Sequence, residues 1–131
     1  MNIKPEELVS LALKAREYAY APYSGFAVGA AFLTTGGTVY TGCNVENSSY
    51  GLTMCAERVA LFTAVAQGER NFAALAMAAG TEVYCSPCGA CRQVFVEFGG
   101  DLKIYMANCH GAYKETTATQ LVPEAFALAL E

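Results

Sequence analysis

Apolar residues recur at helical spacing along the first part of the chain. Leu8, Leu11, Ala12, Ala15, Tyr18 and Ala19 form one stripe, the pattern of an amphipathic helix that buries a single face. Pro5 suits its first turn, and Glu6 and Glu7 suit the positive end of its dipole. Pro22 is expected to end it, which predicts a helix over 5–21. Residues 26–34 are apolar on both faces, as in a strand covered from both sides. Gly36-Gly37 signals a turn, and 38–44 reads as the returning strand of a hairpin. Residues 45–53 are small and polar and read as a loop. A second helix is expected from Thr53 or Met54 to Gln67, with Thr53 as its cap and Gly68 as its stop. A short buried strand follows over 71–79 and a loop over 80–86. Pro87 opens a third helix to Phe98, with Cys91, Val94, Phe95 and Phe98 on its apolar stripe. Leu102, Ile104 and Met106 alternate as a fourth strand, and a weaker fifth covers 112–116. A helix and a hairpin followed by helix–strand alternation predict an α/β fold. The expected form is one three-layer α/β/α domain over 1–131, with a mixed five-stranded sheet.

Composition narrows the classes. The chain of 131 residues suffices for one domain with a real core. It has neither a basic-then-apolar leader pattern nor an apolar run long enough to span a bilayer, so a soluble cytoplasmic protein is expected. Net charge is −4, and there is no run of Lys or Arg to serve as a nucleic-acid footprint. Only 15% of residues are charged, and mean hydropathy is +0.28. So little charge on so small a chain predicts surface hidden against other copies, hence a homo-oligomer.

The six cysteines sharpen the picture. Cys55-Ala56-Glu57 is answered by Pro87-Cys88-Gly89-Ala90-Cys91. A lone Cys-x-x-Cys fits a redox pair or half of a structural zinc knuckle. An upstream Cys, a Glu two residues later and a Pro before the pair are far more specific, and are the signature of zinc deaminases acting on cytosine or adenine. Three thiolates from Cys55, Cys88 and Cys91 hold a zinc ion and leave a fourth tetrahedral position for water, as a catalytic site requires. Glu57 then stands where it can move protons without being a ligand. Three thiolates and one dication sum to −1, so a cation should offset them. Arg58 is the first candidate to donate to the sulfurs and Arg92 the second.

Across nearly its whole length the chain resembles the small, homotetrameric type of cytidine deaminase. The resemblance is carried by Ala21-Pro22-Tyr23-Ser24-Gly25-Phe26 with Val28-Gly29-Ala30, Asn44-Val45-Glu46-Asn47, Cys55-Ala56-Glu57-Arg58, Ser86-Pro87-Cys88-Gly89-Ala90-Cys91-Arg92-Gln93 and Leu121-Val122-Pro123-Glu124-Ala125-Phe126. It implies that Cys55, Cys88 and Cys91 bind one zinc per subunit and that Glu57 carries the proton. It also implies that Asn44 and Glu46 hold the ribose hydroxyls. A carboxylate there would favour nucleosides over nucleotides. By the same likeness Phe26 packs on the pyrimidine, and Phe126 comes from a neighbouring subunit. The Ala56 backbone, with that of Cys88, fixes the base amide and the water, and Ser48 and Tyr50 reach into an adjacent subunit's site. The expected reaction is hydrolysis of cytidine and 2′-deoxycytidine to uridine and 2′-deoxyuridine with release of ammonia, in pyrimidine salvage, with no nucleic-acid or membrane partner. Cys43, Cys85 and Cys109 match no ligand position and are expected to be structural, and His110 to be a surface residue. The apolar residues 127–130 depart from the polar tail usual in relatives. The alternatives are a deaminase of an aminopyrimidine antibiotic such as blasticidin S, a polynucleotide deaminase and a non-catalytic zinc module. The motifs around Phe26 and Asn44, the acidic balance and the three-ligand count weigh against each in turn.

Overall fold

The computed structural model describes residues 3–128. The chain runs α1 (Pro5–Ala15), a 3₁₀ turn (Arg16–Tyr18), β1 (Val28–Thr34), β2 (Val39–Cys43), a second 3₁₀ turn (Tyr50–Leu52) and α2 (Ala56–Ala66). It continues through β3 (Phe72–Ala79), α3 (Gly89–Phe98), β4 (Lys103–Ala107), β5 (Tyr113–Thr117) and a short α4 (Ala118–Leu121). The sheet order is β2-β1-β3-β4-β5. β1 pairs antiparallel with both β2 and β3, β3 and β4 are parallel, and β5 returns antiparallel. The sheet is therefore mixed and five-stranded, as expected. The single parallel pair, β3 and β4, needs a crossover, which α3 supplies.

Two cores cover the two faces. On one, Leu8, Val9 and Ala12 of α1 pack on Ala31, Ala74, Ala76, Ala78, Tyr105 and Ala107. Small sheet residues there let α1 lie close. On the other, α2 and α3 bury Ala60, Leu61, Ala64, Cys91 and Phe95 against Phe32, Leu75, Met77 and Ile104. Phe32 meets both Phe72 and Phe95 edge to face, the arrangement that aromatic quadrupoles favour. β4 is buried from both sides, so the alternation of Leu102, Ile104 and Met106 captured only one of its faces.

Three helix ends differ from the expected ones, that of α1 for a tertiary reason. α1 stops at Ala15, well before Pro22, and Tyr18 is exposed. The chain is drawn off by pairing: the Tyr20 N–H donates to the Asn44 carbonyl at 3.0 Å and the Glu46 N–H to the Tyr20 carbonyl at 2.8 Å. α2 begins at Ala56 with Cys55, not Thr53, as its cap. α3 begins at Gly89 with Cys88 as its cap, leaving Pro87 outside. One glycine decides how α2 sits. A Cβ on Gly42 of β2 would lie 2.5 Å from the Ala60 nitrogen and 2.7 Å from the Ala56 oxygen. Only a bare backbone lets the helix approach this closely.

Candidate metal and substrate site

Cys55 and Cys88 each stand in extended backbone at the residue before a helix, while Cys91 lies in the first turn of α3. The N–H groups of such a turn point outward unpaired and favour anionic sulfur. The Cys91 N–H donates to Cys88 Sγ at 3.4 Å. Cys55 Sγ lies 3.8 Å from Cys88 Sγ, which is 3.4 Å from Cys91 Sγ, and all three sulfurs lie within 4.8 Å of one another. Tetrahedral coordination with Zn–S bonds of about 2.3 Å requires sulfurs about 3.8 Å apart. The trio therefore fits zinc in donor type and spacing, and Cys88 faces solvent while Cys91 is fully buried.

Electrostatics follow from this packing. The hydrogen bond from Cys91, and next the Arg58 guanidinium, pull the Cys55 thiol down to about 5. The same shared proton pushes Cys91 up. Arg58 Nη2 donates to Cys55 Sγ at 3.4 Å, and its Nε is buried with no partner. Arg92, the second candidate, points elsewhere. It donates through Nε to the Pro87 carbonyl at 2.8 Å and through Nη2 to Ser86 Oγ at 2.9 Å. It braces the loop that delivers Cys88 and touches no sulfur. Glu57, 5% exposed, is pushed up to about 7, chiefly by burial. A carboxyl that exchanges its proton near neutral pH suits acid–base work.

Beside the sulfurs opens a cavity of about 200 Å³ lined by Phe26, Val28, Asn44, Thr53, Cys55, Ala56, Glu57, Cys85, Ser86 and Cys88. Phe26, Asn44, Ala56 and Glu57 thus meet the metal ligands on one surface. Asn44 is buried with its amide engaged: Oδ1 accepts from the Val28 N–H at 2.9 Å and Nδ2 donates to the Phe26 carbonyl at 2.8 Å. The Glu46 carboxylate accepts from the Ser24 hydroxyl and from the N–H groups of Tyr23 at 2.9 Å and Ser24 at 3.2 Å. The Ser24 hydroxyl, foremost, holds it below the usual carboxylate range. Glu46 lines an adjoining cavity of about 350 Å³ with Tyr23, Ser24, Tyr50 and Thr53. Ser48 lies outside both cavities, exposed on the loop. Phe126 is 72% exposed and is tied through its carbonyl, which accepts from Gln93 Nε2 at 3.0 Å.

The other sulfurs divide. Cys43 lines a separate cavity of about 410 Å³ with Leu11, Lys14 and Tyr18, away from the zinc ligands. Cys109 lies in the loop after β4, and exposed His110 sits 3.2 Å from Glu82. Cys85 lines the cavity beside Glu57, where burial pushes its thiol up to about 12. It was expected to be structural; with Thr53, Val28 and Ser86 it is part of the cavity wall. The adjacency of Cys85 and Ser86 to Pro87-Cys88 was the signal available in the sequence.

A three-layer α/β/α domain that gathers three thiolates and a buried carboxyl at two helix starts defines a zinc-dependent deaminase. Residues 2–108 match the sequence profile of the cytidine and deoxycytidylate deaminase zinc-binding region, and the chain belongs to that family. It is 55% identical over 122 residues to a cytidine deaminase of Sporosarcina psychrophila, covering 92% of this chain and 90% of that protein. The crystal structure of cytidine deaminase from Burkholderia pseudomallei superposes with a TM-score of 0.92 at 50% identity, covering 95% of this chain and all of that one. That of cytidine deaminase from Mycobacterium tuberculosis gives 0.85 at 42% identity, covering 97% and 100%.

Proposed function

We propose that the chain hydrolyses cytidine and 2′-deoxycytidine to uridine and 2′-deoxyuridine, releasing ammonia, in pyrimidine salvage. The observation that carries this is Glu57, a buried carboxyl on the wall of the same cavity as the metal-binding sulfurs. Cys55, Cys88 and Cys91 would hold the zinc ion, which when bound would supply the Lewis acidity that lets water act as a nucleophile at neutral pH. Glu57 takes a proton from the attacking water and delivers it to the ring nitrogen. It then takes the proton of the hydroxyl newly added to the ring carbon and passes it to the departing amine, which leaves as ammonia while the carbonyl forms. Burial serves this cycle, because it disfavours the charged carboxylate and so favours Glu57 taking up the proton it must carry. The Ala56 and Cys88 backbones orient the base amide, and the Phe26 ring stacks on the pyrimidine. Asn44 and Glu46 take the sugar hydroxyls, and the fixed negative charge of Glu46 disfavours a phosphorylated sugar.

The protein acts as a cytoplasmic homotetramer in this reading. Phe126, Ser48 and Tyr50 then complete a neighbouring subunit's site, which accords with the high exposure of Phe126 and Tyr50. No helix among the described residues is long and apolar enough to cross a membrane.

The test is the absorbance of cytidine with purified protein, before and after zinc is stripped by a chelator. Turnover only in the zinc-loaded sample is expected. Glu57→Gln should keep its zinc and lose activity by about 10²–10⁴-fold. Near-normal turnover by that variant would remove Glu57 from the chemistry.

A further inference from the structure

Phe26 lies outside β1 and is 47% exposed, so core packing does not fix its direction. Its backbone does. The Phe26 N–H donates to Ser24 Oγ at 3.0 Å, and its carbonyl accepts from Asn44 Nδ2 at 2.8 Å. The next carbonyl, that of Ala27, accepts from Arg16 Nε at 3.0 Å, and the Val28 N–H donates to Asn44 Oδ1 at 2.9 Å. From Phe26 up to the Val28 N–H, where β1 begins, side chains therefore stitch the segment. Ser24 and Asn44 approach from the cavity side. Arg16 comes from the end of α1, in the other layer of the domain.

The guanidinium reaches Ala27 by crossing Gly80, the residue after β3. A Cβ on Gly80 would overlap Nη2 and stand 2.6 Å from Cζ. The one ion pair among the described residues is His110–Glu82, so no carboxylate in that set holds Arg16. Its anchoring contact is the Ala27 carbonyl, and hydrogen bonds from charged donors are worth more than neutral ones. From this geometry we infer that Arg16 is a positioning residue for the substrate ring: by reaching across a bare Gly80 to hold the Ala27 carbonyl, it directs Phe26 into the cavity. The inference rests on the role given to Phe26 in the proposed function.

Two substitutions approach the contact from opposite sides. Arg16→Met keeps the length of the stem and removes the donor. Gly80→Ala keeps the donor and displaces its flexible end, at little cost to folding. Each should raise KM for cytidine and Kd for the product uridine about five- to twentyfold, leave kcat within about threefold, and keep full zinc content. The double variant should be no worse than the worse single one, because both break the same contact. In a Phe26→Ala background, Arg16→Met should add nothing further to Kd. Arg16→Gln, which sets an amide N–H where the Nε–H stood, should recover most of the wild-type KM and Kd and guards against a misfolded variant. Wild-type KM and Kd in Arg16→Met and Gly80→Ala, even with a lowered melting temperature, would overturn the role of Arg16. So would full additivity with Phe26→Ala. An inactive wild-type chain would instead overturn the functional reading on which the role rests.

Discussion

Arg58 faces the sulfur cluster while its Nε is buried without a partner. Three thiolates and a dication carry a net negative charge, and a guanidinium donating to Cys55 offsets it without occupying a coordination position. Arg58→Gln should therefore weaken zinc binding by about 10–100-fold, measured by competition with a chromophoric chelator. Unchanged affinity and unchanged turnover would strip the residue of that role. Glu46 makes a different kind of prediction. Its folded-state pKa lies below the ordinary 4.5, the Ser24 hydroxyl being the main cause. A group lowered in the folded state stabilises fully above its unfolded pKa and loses that contribution as pH falls through the folded value. Ser24→Ala raises the folded value, so the variant should be less stable than the wild type above the unfolded pKa, and the deficit should shrink as pH falls through the folded value. Melting temperatures recorded from pH 3 to 6 would show this as a gap that narrows toward low pH; a gap that stays constant with pH would refute it.

At the scale of elements, the site depends on how α2 is seated. Gly42 permits the close approach to Ala56 and Ala60 at the very turn that bears Cys55 and Glu57. Gly42→Ala forces the helix outward. Overpacking of this kind costs about 1–3 kcal/mol, and the displaced turn should also weaken zinc binding. Gly36→Ala, where the nearest atom would be Thr34 Oγ1 at 3.8 Å, serves as the control. Calorimetry with zinc titration separates the two. Much of this architecture was legible beforehand. Double-sided apolar runs gave β1 and β3, Gly36-Gly37 gave the hairpin, and the stripe from Cys91 to Phe98 gave α3. The ligand trio and Glu57 were legible because coordination chemistry dictates both residue type and spacing. What was hidden depends on long-range contacts. Tyr20 pairs with residues 44–46 and thereby ends α1 early. Arg92 turns to the Pro87 carbonyl although it adjoins a ligand. Cys85 enters the cavity wall because its strand-to-helix connection folds back to the Ala107 carbonyl at 2.9 Å. The short α4, held by Thr117 and Gln120 capping each other, had no pattern long enough to register.

For the whole molecule, metal and fold are linked. The ligands come from two helix starts on one face of the sheet, so zinc bridges α2 to α3 and binds the folded chain in preference to the unfolded one. Free zinc at a thousandfold excess over its Kd is worth about 4 kcal/mol. Chelation should accordingly lower the melting temperature, and restoring zinc should recover it; a melting temperature indifferent to chelator would contradict the linkage. Light scattering addresses assembly, with a tetramer expected and a monomer ruling it out.

Cys55 and Cys88 are separated by 33 positions in the chain. During synthesis at about 5–20 residues per second, the first ligand precedes the second by roughly two to seven seconds. Throughout that interval the nascent chain presents only one of its three zinc ligands. A lone ligand holds a metal weakly and exchanges it readily, so the ion that first meets Cys55 need not be the one retained. Selection falls at the moment α3 docks and the set becomes complete. Metal choice in this protein is thus a late event of biosynthesis, open to correction until the second half of the chain has been made.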